Sequence, residues 1–136
     1  MANATVLTNV GLEITSGLLV AAGSGPGSAV PKYMAIGSGT TEASITDTTL
    51  TTEYITGTWS GYARVTGTAT QQTTTETDDT AQWVGSWTAP ASETVAEAGN
   101  FDASTTGHIF VHGNFTGVAL SDGDSLQVTI TCQYTN

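Results

Sequence analysis

The chain has 136 residues and a formal charge of −10, with twelve acids against two cations, Lys32 and Arg64. That length suits one domain with a single core. Two cations cannot cluster to displace counterions from phosphates, which excludes a nucleic-acid interface and disfavours an anionic membrane surface.

Threonine and the 16 glycines dominate a sequence in which only 10% of residues are charged. Threonine suits a pleated, half-buried surface and glycine marks turns and bulges, so the class expected is all-β. The acidic surface calls for a basic partner or for solvent. Cys132 is alone, so an internal disulfide is impossible, and it reads as a small buried hydrophobe.

Residues 1–30 differ from the rest and are read as a separate N-terminal segment. Val10, Ile14 and Leu18 recur at four-residue spacing with Leu19 beside them, one face of a short helix that Thr8 or Asn9 would cap. Gly11 and Gly17 weaken that helix, and Thr15 and Val20 suit a strand equally well. A turn follows at residues 23–28. The start carries no cationic region and the longest apolar run, residues 18–22, is too short to span a bilayer, so a soluble, cytoplasmically made protein is expected.

From Tyr33 the period changes to two, and residues 31–136 read as one β-sandwich or jelly roll. Strands are expected at 33–36, 62–70, 81–89, 95–98, 109–115 and 126–134 among seven or eight in all. Residues 40–52 read as an irregular stretch anchored on the core by Ile45 and Leu50. Residues 71–80, with three acids and no apolar side chain before Thr80, read as a solvated loop tip. In the last strand Leu126, Val128, Ile130, Cys132 and Tyr134 alternate with polar residues, giving one buried face and one wet face.

Little of this points to catalysis. His108 and His112 have metal-like spacing for a helix, but on a strand they stand about 13 Å apart, too far for one ion, and read as polar residues of the outer face. Glu76, Asp78 and Asp79 lack the glycine and distal glutamate of a calcium loop. Asp122 and Asp124 are explained by turn chemistry. There is no nucleophile elbow, and Glu42 occupies the third glycine position of a dinucleotide fingerprint. The expectation is a non-enzyme with no catalytic, cofactor-binding or metal residues and no cofactor.

The remaining candidates concern contacts. Trp83 and Trp87 flank Gly85 on one strand face and read as core rings across a glycine notch, or else as a sticky patch. Trp59 lies among small residues and reads as an exposed contact. With Val10, Ile14 and Leu18 it forms the expected partner surface. Arg64, mid-strand in a chain so poor in cations, is expected to pair with Glu53 or Glu97.

Five fragments in order carry a resemblance. They are Ala35-Ile36-Gly37-Ser38-Gly39-Thr40, Leu50-Thr51-Thr52-Glu53, Gly61-Tyr62-Ala63-Arg64, Glu97-Ala98-Gly99-Asn100-Phe101-Asp102 and Gly123-Asp124-Ser125-Leu126. Together they resemble a type of small β-sandwich virion protein of tailed viruses, found among head-decoration and tail-associated components. The resemblance implies a non-catalytic structural protein, a capsid decoration or cement protein on the outer surface of the particle. Its partners would be the major capsid protein and copies of itself, often as a trimer, with neither nucleic acid nor membrane. A tail-tip or fibre-associated role, or a carbohydrate-binding module resting on Trp59, are the alternatives. The segment between Glu53 and Arg64 is longer here than in members with a tighter link.

Overall fold

A computed structural model describes residues 4–20, 23–54, 59 and 62–135. Strand occupies 45% and helix 9%, and two antiparallel sheets face each other: this is an all-β sandwich with a short helix.

The first elements are β1 (Ala4–Leu7) and α1 (Asn9–Leu19). Thr8 is the N-cap. Its hydroxyl accepts the Gly11 N–H at 2.9 Å and donates to the Ile109 carbonyl at 2.7 Å, so the cap also ties the helix to a distant strand. The helix buries Gly11, Ile14 and Gly17. A Cβ on Gly11 would collide with the Phe110 carbonyl oxygen, and one on Gly17 would lie 2.6 Å from the Pro26 oxygen. The two residues that weaken the helix locally are those that let it approach other backbone closely.

The strands that follow are β2 (Tyr33–Gly37), β3 (Val65–Thr66), β4 (Thr68–Gln72), β5 (Thr80–Thr88), β6 (Glu93–Phe101), β7 (Ile109–Leu120) and β8 (Ser125–Gln133). One sheet has the order β1-β7-β6-β2-β3 and the other β4-β5-β8. Between them lies a cluster that includes Ile14, Met34, Ile36, Trp83, Trp87, Phe110 and Ile130.

Three expectations change. The segment expected at 1–30 is, over residues 4–20, not set apart from the sandwich, because β1 pairs with β7 from Ala4↔Asn114 to Leu7↔Val111 and Ile14 enters the common core. The single strand expected at 62–70 is two strands in different sheets. Gly67 is the corner between them, where a Cβ would stand 2.7 Å from Met34 Sδ. Residues 71 and 72 extend β4, which leaves a shorter loop tip.

The five-stranded sheet is also covered on its other face. There Leu50 joins Ala35, Phe101 and Ile109 in a second small cluster. Ile45, the other expected anchor, is 56% exposed; its carbonyl instead accepts the Asn9 N–H at 2.8 Å. Leu50 alone of the pair pins the stretch 38–53 by apolar contact.

Candidate functional site

The chain concentrates its ionisable chemistry under the stretch 38–53. Glu97 lies in β6 among Val95, Ala96 and Ala98, and its side chain is fully buried. In register Glu97 faces Asn114 of β7, so His112, two residues earlier, is its diagonal neighbour. The Glu97 Oε2–His112 Nε2 distance is 3.0 Å. The other ring nitrogen, Nδ1, lies 2.6 Å from Asp47 Oδ2. Glu97 also accepts the backbone N–H groups of Gly39 (3.1 Å), Thr51 (2.9 Å) and Thr52 (2.6 Å). Asp47 accepts the Ser44 N–H at 2.8 Å.

This geometry favours the charged form of the ring. Both ring nitrogens face carboxylate oxygens that only accept, and an imidazole donates from both only when it is charged. Burial pulls the His112 pKa down, but the hydrogen bonds and charges of Glu97 and Asp47 outweigh it and leave the pKa above 6.5. Burial likewise pushes Glu97 up, while His112 and the Thr52 and Thr51 N–H groups bring it below 4.5. The arrangement is a latch that fastens 38–53 to the sheet. It leaves no ring nitrogen for a substrate, and His112 has no accessible surface. The expectation of an outer-face polar His112 is therefore corrected: the residue does lie on that face, but the covering stretch seals it. His108 remains partly open and its Nδ1 lies 2.8 Å from Asp102.

A second ionic fastening lies beside the first. Arg64 donates to Glu53 through Nε (2.8 Å) and Nη2 (2.9 Å), a two-pronged pair. Its Nη1 donates to the carbonyls of Ala103 (3.0 Å) and Thr106 (2.6 Å). The guanidinium stands 3.5 Å from the Phe101 ring centroid. Of the two acids considered for Arg64, Glu53 is its partner and Glu97 belongs to His112. One arginine thus joins the segment at Glu53, the corner at 103–106 and strand β6.

The expected partner surface divides. Trp59 is 1% exposed, stacked on Tyr54 at 4.8 Å with an edge contact to Tyr62, so its reading as an exposed contact is corrected. Tyr54 and Tyr62, five residues before it and three after, supply the cover. Ile14 is wholly buried and Val10 is partly buried against the core, which corrects those two as well. Leu18 remains 40% exposed; Leu19, read beside it on the helix, and Val20 are more exposed still, and Leu12 was not picked out by the sequence reading. Leu12 and Leu19 lie seven residues apart, two turns along one stripe of α1, opposite the glycine-lined face. The absence of charge on that stripe was the available signal. Trp83 and Trp87 are core rings; a Cβ on Gly85 would lie 2.9 Å from the Trp87 ring.

In the loop before β5, Asp79 accepts N–H groups from Thr74, Thr75 and Glu76, and Gln133 Nε2 donates to it at 2.9 Å. Desolvation raises its pKa, but Gln133 and those N–H groups outweigh it and hold the carboxyl below the usual carboxylate range. Among the described residues no three His, Cys, Asp or Glu side chains are grouped to hold a metal, and no helix is long and apolar enough to cross a membrane.

No protein family, curated protein or solved structure matches the chain. The class that the coordinates define is the all-β sandwich, latched on one face and open on the other.

Proposed function

We propose that this chain is a non-enzymatic virion structural protein, a capsid decoration protein that sits on the outer surface of a head shell and reinforces it. The observation that carries the reading is the outer stripe of α1. Leu19 is 84% exposed and Val20 78%, with Leu12 on the same stripe, on an otherwise acidic and threonine-rich molecule. Large apolar side chains held open to water on a small protein favour burial against a partner. The ionisable groups with buried partners, Asp47, His112, Glu97, Arg64 and Glu53, are consumed in holding the fold. That leaves adhesion as the work of the surface. The buried tryptophans count against a sugar-binding platform, which needs exposed aromatic rings.

The test is a Leu12→Gln/Leu19→Gln double variant added to purified heads stripped of this protein. Its binding is expected to fall at least tenfold with the fold intact, as monitored by circular dichroism. Undiminished binding would overturn the reading. Counting copies in an image of the particle separates shell from tail. A number matching the lattice of shell subunits supports decoration, whereas a handful at one vertex transfers the protein to the tail.

A further inference from the structure

One long strand edge is left unpaired by the sheet order. Strand β8 closes the three-stranded sheet, pairing with β5 from Thr80↔Gln133 to Thr88↔Ser125 without a register shift. Its other side has no strand beside it among the described residues. The remaining edge strands are shorter: β1 has four residues, β3 two and β4 five, against nine for β8. Soluble proteins protect such edges with lysine, proline, bulges or inward-pointing charge. Ser125–Gln133 contains no charged residue and no proline.

Alongside that edge runs an open cleft of about 540 Å³, between β8 and the second half of β7. Among the described residues β1 pairs with β7 from Leu7↔Val111 to Ala4↔Asn114, and Thr5 of β1 reaches the cleft. Phe115 and Val118 line one wall of the cleft, and Leu126, Val128 and Ile130 the other. Val118 is 40% exposed there. The seam between the two sheets thus shows apolar side chains beside the outer edge of β8.

The ends of the edge are acidic. Asp122 and Asp124 precede β8 in the turn. At the other end Tyr134 N–H donates to the Asp79 carbonyl at 2.9 Å, which brings Asp79 and neighbouring Glu76 to the strand's close.

We infer that the β8 edge is a docking site for an extended segment of a partner protein, apolar at alternate positions and bearing lysine or arginine at both ends. The segment adds a strand to the β4-β5-β8 sheet, and its inward side chains fill the cleft. Charge decides between this occupant and a second copy of the chain. Antiparallel pairing of two β8 strands about a two-fold axis sets Asp124 of each copy near Asp79 of the other, on molecules that each carry −10. The inference stands on the sheet edge alone and survives the loss of the virion reading.

The probe is a synthetic peptide of alternating valine and threonine with two lysines at each end. It is expected to bind the intact chain and to slow hydrogen exchange at alternate backbone amides of Ser125–Gln133. Replacing the terminal lysines by glutamate weakens binding at least tenfold, and raising the salt weakens it as well. Val128→Lys, which sets a charge in the cleft, abolishes binding. Should that variant fail to fold, N-methylation of the peptide's edge-facing amides makes the same cut without touching the protein. Equal binding of lysine- and glutamate-ended peptides would overturn the inference. So would unchanged exchange in β8 at about 1 mM peptide, or a concentration-dependent dimer that protects β8 by itself.

Discussion

The two sheets of this molecule are finished to different degrees. The five-stranded sheet is covered on both faces, by the core on one and by 38–53 on the other. Two ionic fastenings, at Glu97 and Arg64, lie within that cover. The three-stranded sheet has one wet face: every residue of β4 is exposed, and β8 ends it without a partner. The buried charges against the first sheet are met by the chain itself, whereas the backbone edge of β8 in the second is not. Rigidity and adhesion are thereby assigned to different layers.

The sharpest way to break this contrast is to remove the latch. Glu97→Ala leaves the buried His112 ring with Asp47 alone and three backbone N–H groups without an acceptor. Breaking one partner of a buried pair costs about 3–5 kcal/mol, which denaturant unfolding will measure. A loss under about 1 kcal/mol would show that the covering stretch is held by Leu50 and the Glu53–Arg64 pair rather than by Glu97.

Gly11→Ala comes next, and its sign is informative. Helix propensity favours alanine by about 1 kcal/mol, but the new Cβ meets the Phe110 carbonyl, and overpacking costs about 1–3 kcal/mol. A net loss of stability is expected; a gain would mean that the helix docks loosely.

A smaller effect is expected from pH. The raised pKa of His112 gives a contribution complete below 6.5 that fades as pH rises through the folded value. The lowered pKa of Glu97 gives one complete above 4.5 that fades as pH falls through its folded value. The melting temperature should therefore be highest between 4.5 and 6.5 and decline on either side. His112→Gln should remove the decline on the alkaline side; an unaltered profile would place its cause elsewhere. Smallest of all, Leu12→Gln should move stability by no more than about 0.5 kcal/mol, since the side chain is open to water. A larger loss would make the outer stripe part of the core.

What the sequence reveals depends on how local the cause is. Alternation in β8, the glycine notch at Gly85 and the hydroxyl cap before α1 act within a few residues, and each is legible in the order of the amino acids. The all-β class follows from the same local signals. The latch is different, because Asp47 and His112 meet across 65 positions and their contact depends on a stretch that has no strand period. A hint was present all the same: a glutamate amid Val95, Ala96 and Ala98, and a histidine directly after Phe110 and Val111, on neighbouring apolar strands. Trp59 misleads for the converse reason. Its immediate sequence neighbours are small and loop-like, and the rings that bury it, Tyr54 and Tyr62, lie only five residues before and three after it. Strand β1 is too short for its period to register, and its place is set by β7.

The double engagement of Arg64 also bears on covalent tagging and digestion. Its side chain is 7% exposed and held by four donated hydrogen bonds, so Lys32 is left as the exposed cationic side chain of the chain. An amine-reactive dye will mark that position with no competing lysine, and trypsin acting on the native molecule will find its accessible target there. A single labelled lysine therefore comes without engineering.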